Sequence, residues 1–120
     1  SHKLKRGTMT ELISYEDFEK VDIRVGEVVA VEDFPRARNP SYKVQVYFGD
    51  ELGYRWSSAQ ITRFSKDELL RKQVVAVINF PPKNIAGFMS ECLILGAAMT
   101  DGSVSILTPA RSALVGGRIY

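Results

Sequence analysis

Apolar and polar residues alternate along much of the chain, and the breaks in that alternation predict its elements. Val21, Ile23 and Val25 alternate with Asp22 and Arg24, the period of a half-buried strand. Gly26 then interrupts and the apolar phase shifts to Val28-Val29-Ala30-Val31. A glycine with a phase shift predicts one long strand over 21–34 with a bulge or barrel corner near the glycine. Pro35-Arg36-Ala37-Arg38-Asn39-Pro40 cannot continue a strand and reads as a polar, basic loop. A second strand follows over 42–48, with Tyr42, Val44, Val46 and Phe48 on one face and Lys43, Gln45 and Tyr47 on the other. Turn signals at Gly49-Asp50 and Gly53 lead to a third strand over 54–58. In that strand Tyr54 and Trp56 are assigned to the core face, and Arg55 and Ser57 to the outer one.

Two short helices punctuate these strands. Ser14 caps one over Tyr15 to Lys20, with Asp17 at its third position, and Ser65 with Glu68 forms a capping box opening the other through Lys72. A fourth strand, QVVAVINF, is apolar on both faces, and after the loop Pro81 to Phe88 the run ECLILGA predicts a fifth. Asp101-Gly102 marks a further hairpin before Val104 to Leu107. This order predicts an all-β fold: a five-stranded OB-fold barrel with a short helix between strands three and four, a short N-terminal helix and a C-terminal extension.

Composition narrows the function classes. The 120 residues are 45% hydrophobic, 25% charged and 10% aromatic, a single globular domain's worth of chain. No apolar run approaches the roughly 20 residues of a membrane span, so a cytoplasmic protein with no membrane insertion is expected. One cysteine makes no internal disulfide. The segment 1–8, SHKLKRGT, reads as an expression-tag remnant before Met9, leaving 9–120 as one domain. The only histidine lies in that remnant, so Ser-His and Cys-His catalysis would be absent from the rest. The net charge of +2 also depends on it: without Lys3, Lys5 and Arg6, 13 basic residues face 14 acidic ones. From Ile23 onward 12 basic residues face 9 acidic, so any polyanion site must come from placement.

The predicted outer surface of strands two and three, with the loops flanking it, gathers such a set. Arg36, Arg38, Lys43, Arg55 and Lys83 supply charge for phosphates, while Gln45, Tyr47, Ser57, Gln60 and Asn79 offer stacking or hydrogen bonds. The same residues are also what the solvated side of a half-buried strand would carry. Phe80, Pro81, Pro82, Ile85, Phe88 and Met89 load one loop with apolar surface, which could close a barrel end or receive apolar peptides. Cys92 alternates with Ile94 and reads as a small buried hydrophobe. No phosphate-cradling glycine motif or metal-ligand spacing occurs, and neither an enzyme nor a cofactor is expected.

The segments VDIRVGEVV (Val21 to Val29), WSSAQIT (Trp56 to Thr62) and VVAVINFPPKNIAGFMSECLILGA (Val74 to Ala97) carry a family resemblance. They resemble the tRNA-binding OB domain appended to methionyl-tRNA synthetases and found in endothelial monocyte-activating polypeptide II. The SSAQIT version is similar to the stand-alone form, the CsaA class of secretion chaperones. The resemblance implies a non-catalytic homodimer that binds tRNA and unfolded or export-destined polypeptides. It assigns the basic and polar set above to RNA, and Phe80, Pro81, Ile85, Phe88 and Met89 to peptide. Lys83-Asn84 stands where two basic residues would be expected, and Met89 where a polar one would suit RNA better. Residues 98–120, with Val104, Ile106, Leu107, Leu114, Val115 and Ile119, exceed what a five-stranded barrel needs and are expected to form a dimerisation extension. The other reading open at this point is a protein–protein assembly module with no physiological RNA ligand.

Overall fold

A computed structural model describes residues 10–120, so the proposed tag remnant lies outside the described residues. Two helices, α1 (Tyr15–Glu19) and α2 (Lys66–Leu69), both open on the capping boxes seen in the sequence. The long β1 (Ile23–Asp33) pairs antiparallel with β2 (Tyr42–Tyr47) along its second half and with β4 (Gln73–Val77) along its first. β3 (Tyr54–Ala59) lies outside β2, and β7 (Leu93–Ile94) outside β4, giving the sheet order β3-β2-β1-β4-β7. The free edges of β3 and β7 then meet. The Glu91 N–H donates to the Trp56 carbonyl at 2.7 Å, and the Ser57 hydroxyl to the Cys92 carbonyl at 2.9 Å. Side chains finish the seam, because the Trp56 and Ser58 N–H groups donate to the Glu91 carboxylate and the Ser90 hydroxyl. The result is the nearly closed five-stranded OB barrel that the element order predicted.

Val28, Val44, Val46, Phe48, Leu69 and Val74 are fully buried inside it. Each such side chain contributes roughly 1.5–3 kcal/mol by leaving water. The bulge in β1 is not at the glycine, as the phase shift suggested: the register slips between Val28 and Ala30. Gly26 serves a different need, since a Cβ there would lie 2.4 Å from Val46 Cγ1.

The pairing of β3 corrects the sequence reading of its faces. Directly opposed residues of antiparallel strands share a face, and Val44 opposes Ser57 while Val46 opposes Arg55. Ser57 and Arg55 therefore point inward, and Trp56 and Tyr54 join Gln45 and Tyr47 outside. Polarity does not follow exposure in this strand. Ser57 is buried with its hydroxyl satisfied at the barrel seam, and Arg55 donates to the Ile78 carbonyl at 2.9 Å.

Two further departures follow from turns. The stretch expected to be a plain loop holds a hairpin, β5 (Lys83–Ile85) and β6 (Phe88–Ser90), turning on Ala86 (φ 49°) and Gly87 (φ 87°). Two consecutive left-handed residues make the primed two-residue turn that suits strand twist. The expected fifth strand also breaks at Leu95: β7 pairs with β4, whereas β8 (Gly96–Ala98) pairs with β9 (Val104–Ile106).

Part of the C-terminal extension covers its own barrel. Ile106 joins the core, and the segment around Gly116 to Ile119 bonds to the half of β1 that β2 leaves unpaired. Asp22, paired with Arg24 at 2.6 Å and Arg118 at 3.8 Å, tethers that segment. Asn79 is a second tether. Its side chain accepts from the Asp22 N–H at 2.9 Å and donates to the Lys20 carbonyl at 2.7 Å. The polar groups of Asn79 thus join α1 to the end of β4. Asn79→Ala is expected to cost about 1–2 kcal/mol in urea unfolding, the worth of two such bonds near the surface. A midpoint unchanged from the parent would contradict this.

Candidate nucleic-acid interface

The outer face of β2 and β3 is a ladder of three opposed pairs: Lys43 with Ser58, Gln45 with Trp56, and Tyr47 with Tyr54. Its two ends differ in charge. At the Lys43 end an aromatic cluster forms, because the hairpin β5–β6 leans over β3. Phe88 meets Phe34 edge-on with centroids 5.3 Å apart and Trp56 edge-on at 6.0 Å. The Lys43 ammonium lies 5.1 Å from both phenylalanine centroids. A cation over aromatic faces is held by their quadrupoles while its N–H groups stay available to an anion.

Around this cluster stand four of the seven cations that form no ion pair among the described residues; the other three are Arg55, Lys72 and Arg111. Lys20, Arg24, Arg63, Lys66, Arg71 and Arg118 are ion-paired. Arg36, Arg38, Lys43 and Lys83 form no ion pair among the described residues. Arg36 and Lys43 flank a recess with Phe34 and Phe88, and Arg38 borders a neighbouring cleft beneath the same loop. Lys83 shares a hairpin face with Phe88, since Lys83 opposes Ser90 and Ile85 opposes Phe88. Among the apolar loop residues, Phe80 and Met89 are exposed, whereas Ile85 and Phe88 are half-buried.

At the other end the charge is negative. Tyr47 and Tyr54 are in ring contact at 4.7 Å, and the Tyr47 hydroxyl donates to Asp50. Glu27 opposes Tyr47 from β1 and is itself 3.7 Å from Arg71. The Asp50 hydrogen bond pushes the Tyr47 phenol up to about 12. Because the folded value exceeds the unfolded one near 10, this bond stabilises the fold below pH 10. The contribution is lost as pH rises from 10 through 12. In a tyrosinate absorbance titration, the difference between the parent and Tyr47→Phe should reveal one phenol titrating near 12. Asp50→Asn should bring it back toward 10. A Tyr47 titration already near 10 in the parent would refute the bond.

Of the residues singled out in the sequence, Arg36 and Lys43 gather around one aromatic cluster, with Arg38 close by, Lys83 on the hairpin face that carries Phe88, and Gln45 on the same ladder. Gln60 is exposed just beyond β3, and Tyr47 lies at the acidic end. Phe34, Trp56 and Tyr54 were missed. Two signals pointed to the cluster, the Ile85-Ala86-Gly87-Phe88 hairpin turn and the position of Phe34 at the end of the long strand. The outward direction of Trp56 required the β2–β3 register.

A family described as "Putative tRNA binding domain" matches residues 23–118. The chain belongs to this tRNA-binding domain family. Members with known structures superpose closely. The CsaA chaperone protein of Picrophilus torridus is 53% identical with a TM-score of 0.86, covering 91% of this chain and 100% of that one. The CsaA chaperone of Bacillus anthracis is 43% identical, with a TM-score of 0.85 over 92% and 100%. Among curated proteins, the methionine–tRNA ligase of Thermococcus onnurineus is 39% identical over 98% of this chain but only 16% of its own length. The chain spans about one-sixth of the length of the curated relatives it matches. Membership of the tRNA-binding domain family supports tRNA as a ligand.

Proposed function

We propose that this chain is a non-catalytic tRNA-binding module that holds its ligand through backbone phosphates and shape, acting in the cytoplasm. The observation that carries the reading is the placement of Arg36, Arg38, Lys43 and Lys83, all unpaired among the described residues, on or beside one face, whereas six of the nine described cations elsewhere are ion-paired. Unpaired cations arranged around one face are what counterion release from a nucleic acid requires. The test is a salt titration of binding to bulk tRNA. Four phosphate contacts predict a log–log slope of about −3 to −4. A slope near zero would remove the reading.

A second activity, the holding of unfolded or export-destined polypeptides, draws support from the exposure of Phe80 (54%) and Met89 (47%). The solved relatives named as chaperones lend support to polypeptide binding in general. Apolar contacts hold or strengthen with salt where phosphate contacts weaken, so an unfolded polypeptide titrated in parallel separates the two. We also propose a homodimer built on the extension 98–120. Met99 (50%), Leu107 (41%), Leu114 (79%) and Tyr120 (99%) are exposed there, whereas Ile106 packs into the barrel core. Light scattering at micromolar concentration should give twice the chain mass, and a monomer mass would defeat the dimer.

A further inference from the structure

The recess between the basic loop and the β5–β6 hairpin is about 270 Å³, smaller than the ~300–1,000 Å³ of ordinary ligand pockets. It is lined by Phe34, Arg36, Lys43 and Phe88 and rimmed by the Ala86-Gly87 turn. We propose that this recess takes one unpaired nucleotide, its base against Phe88 and its phosphate between Arg36 and Lys43. The proposal rests on the tRNA-binding reading and specifies what part of an RNA the site selects.

Three features carry it. The recess has an aromatic wall, since Phe88 is only half-buried while Phe34 behind it is covered. Two cations without ion-pair partners among the described residues face the same space, and they need an anion if that space is to be filled. An apolar peptide side chain would strip water from both and return nothing. The rim is also open: a Cβ built on Gly87 meets nothing within 4 Å, so a backbone can pass over the turn. A flat group with an attached negative charge satisfies all three features. In a duplex the base faces are stacked and closed to the ring, so only an unpaired nucleotide can enter.

The single tryptophan provides a reporter, because Trp56 lies 6.0 Å from Phe88. The experiment compares a single-stranded adenylate hexamer with an abasic hexamer carrying the same phosphates, following Trp56 emission and affinity. The abasic strand should bind about 5- to 150-fold more weakly, the range supplied by one base–aromatic stack. Only the intact strand should change the emission. Phe88→Leu should abolish most of that difference while keeping the salt slope, and Arg36→Ala should lower the slope by about 1 for both strands. Lys72→Ala, away from the recess, should change neither. Equal affinity of the two hexamers, or an emission change with unfolded polypeptide but not with the hexamer, overturns the nucleotide site. If tRNA still binds with a steep salt slope in those cases, the tRNA-binding reading survives. If tRNA also fails to bind, both fall. The hexamer comparison uses the parent chain, so its outcome does not depend on the variants folding.

Discussion

Replacing Arg36, Lys43 and Lys83 together with Ala is expected to weaken tRNA binding about 100-fold at physiological salt and to cut the log–log slope by about 2 to 3. Each phosphate contact contributes about 0.7–0.9 to that slope, so three lost contacts set the size of both effects. The fold should survive. Arg36 and Lys83 are exposed and unpaired among the described residues, so their removal alters little. Lys43 gives up its position over two rings, worth about 0.5–1 kcal/mol. Arg55→Ala is the informative contrast. Its guanidinium is committed to the Ile78 carbonyl, so that variant should lose stability and leave the slope unchanged. A triple variant that retains the parent slope would place the RNA surface elsewhere.

That contrast marks where the sequence was readable. The alternation in β2 located Lys43, Gln45 and Tyr47 correctly, because their neighbours Val44, Val46 and Phe48 are purely apolar and buried. In β3 the same rule failed, since both faces mix polar and apolar residues. Ser57 is polar but inside, because the barrel seam needs a donor for the Cys92 carbonyl. Trp56 is apolar but outside, because the hairpin leaning over it supplies Phe88 as cover. Neither requirement is local to β3: each is set by a segment more than 30 residues later in the chain. The loop cations were legible for the opposite reason. Arg36 and Arg38 lie in a turn-rich loop and Lys83 on a short exposed hairpin strand, and their exposure depends on no distant partner. The separation of Tyr47 from the basic cluster was not legible either. It depends on Asp50 and Glu27 converging on one end of a ladder whose register only the folded sheet defines.

Gly26→Val should destabilise the barrel by about 3 kcal/mol or more, a large part of the ~5–15 kcal/mol by which a domain is stable. The reason is space, as the backbone at Gly26 is ordinary strand and has no left-handed φ to protect. Even a single Cβ would sit 2.4 Å from Val46 Cγ1 and 2.7 Å and 2.9 Å from two carbons of the Phe48 ring. Val46 and Phe48 are both fully buried and cannot swing into solvent. The milder Gly26→Ala should therefore still cost about 2–3 kcal/mol, through forced displacement of well-packed neighbours. Val46→Ala alone should cost about 2–3 kcal/mol by leaving a cavity, and it removes the methyl group nearest the intruding carbon. In the double variant the new methyl fills part of the space the old one vacated. The combined loss should then fall short of the sum by at least about 1 kcal/mol, the coupling expected of two residues sharing one volume. Chemical denaturation of the four chains measures the cycle directly. Additive losses would mean that Gly26 is not held small by Val46.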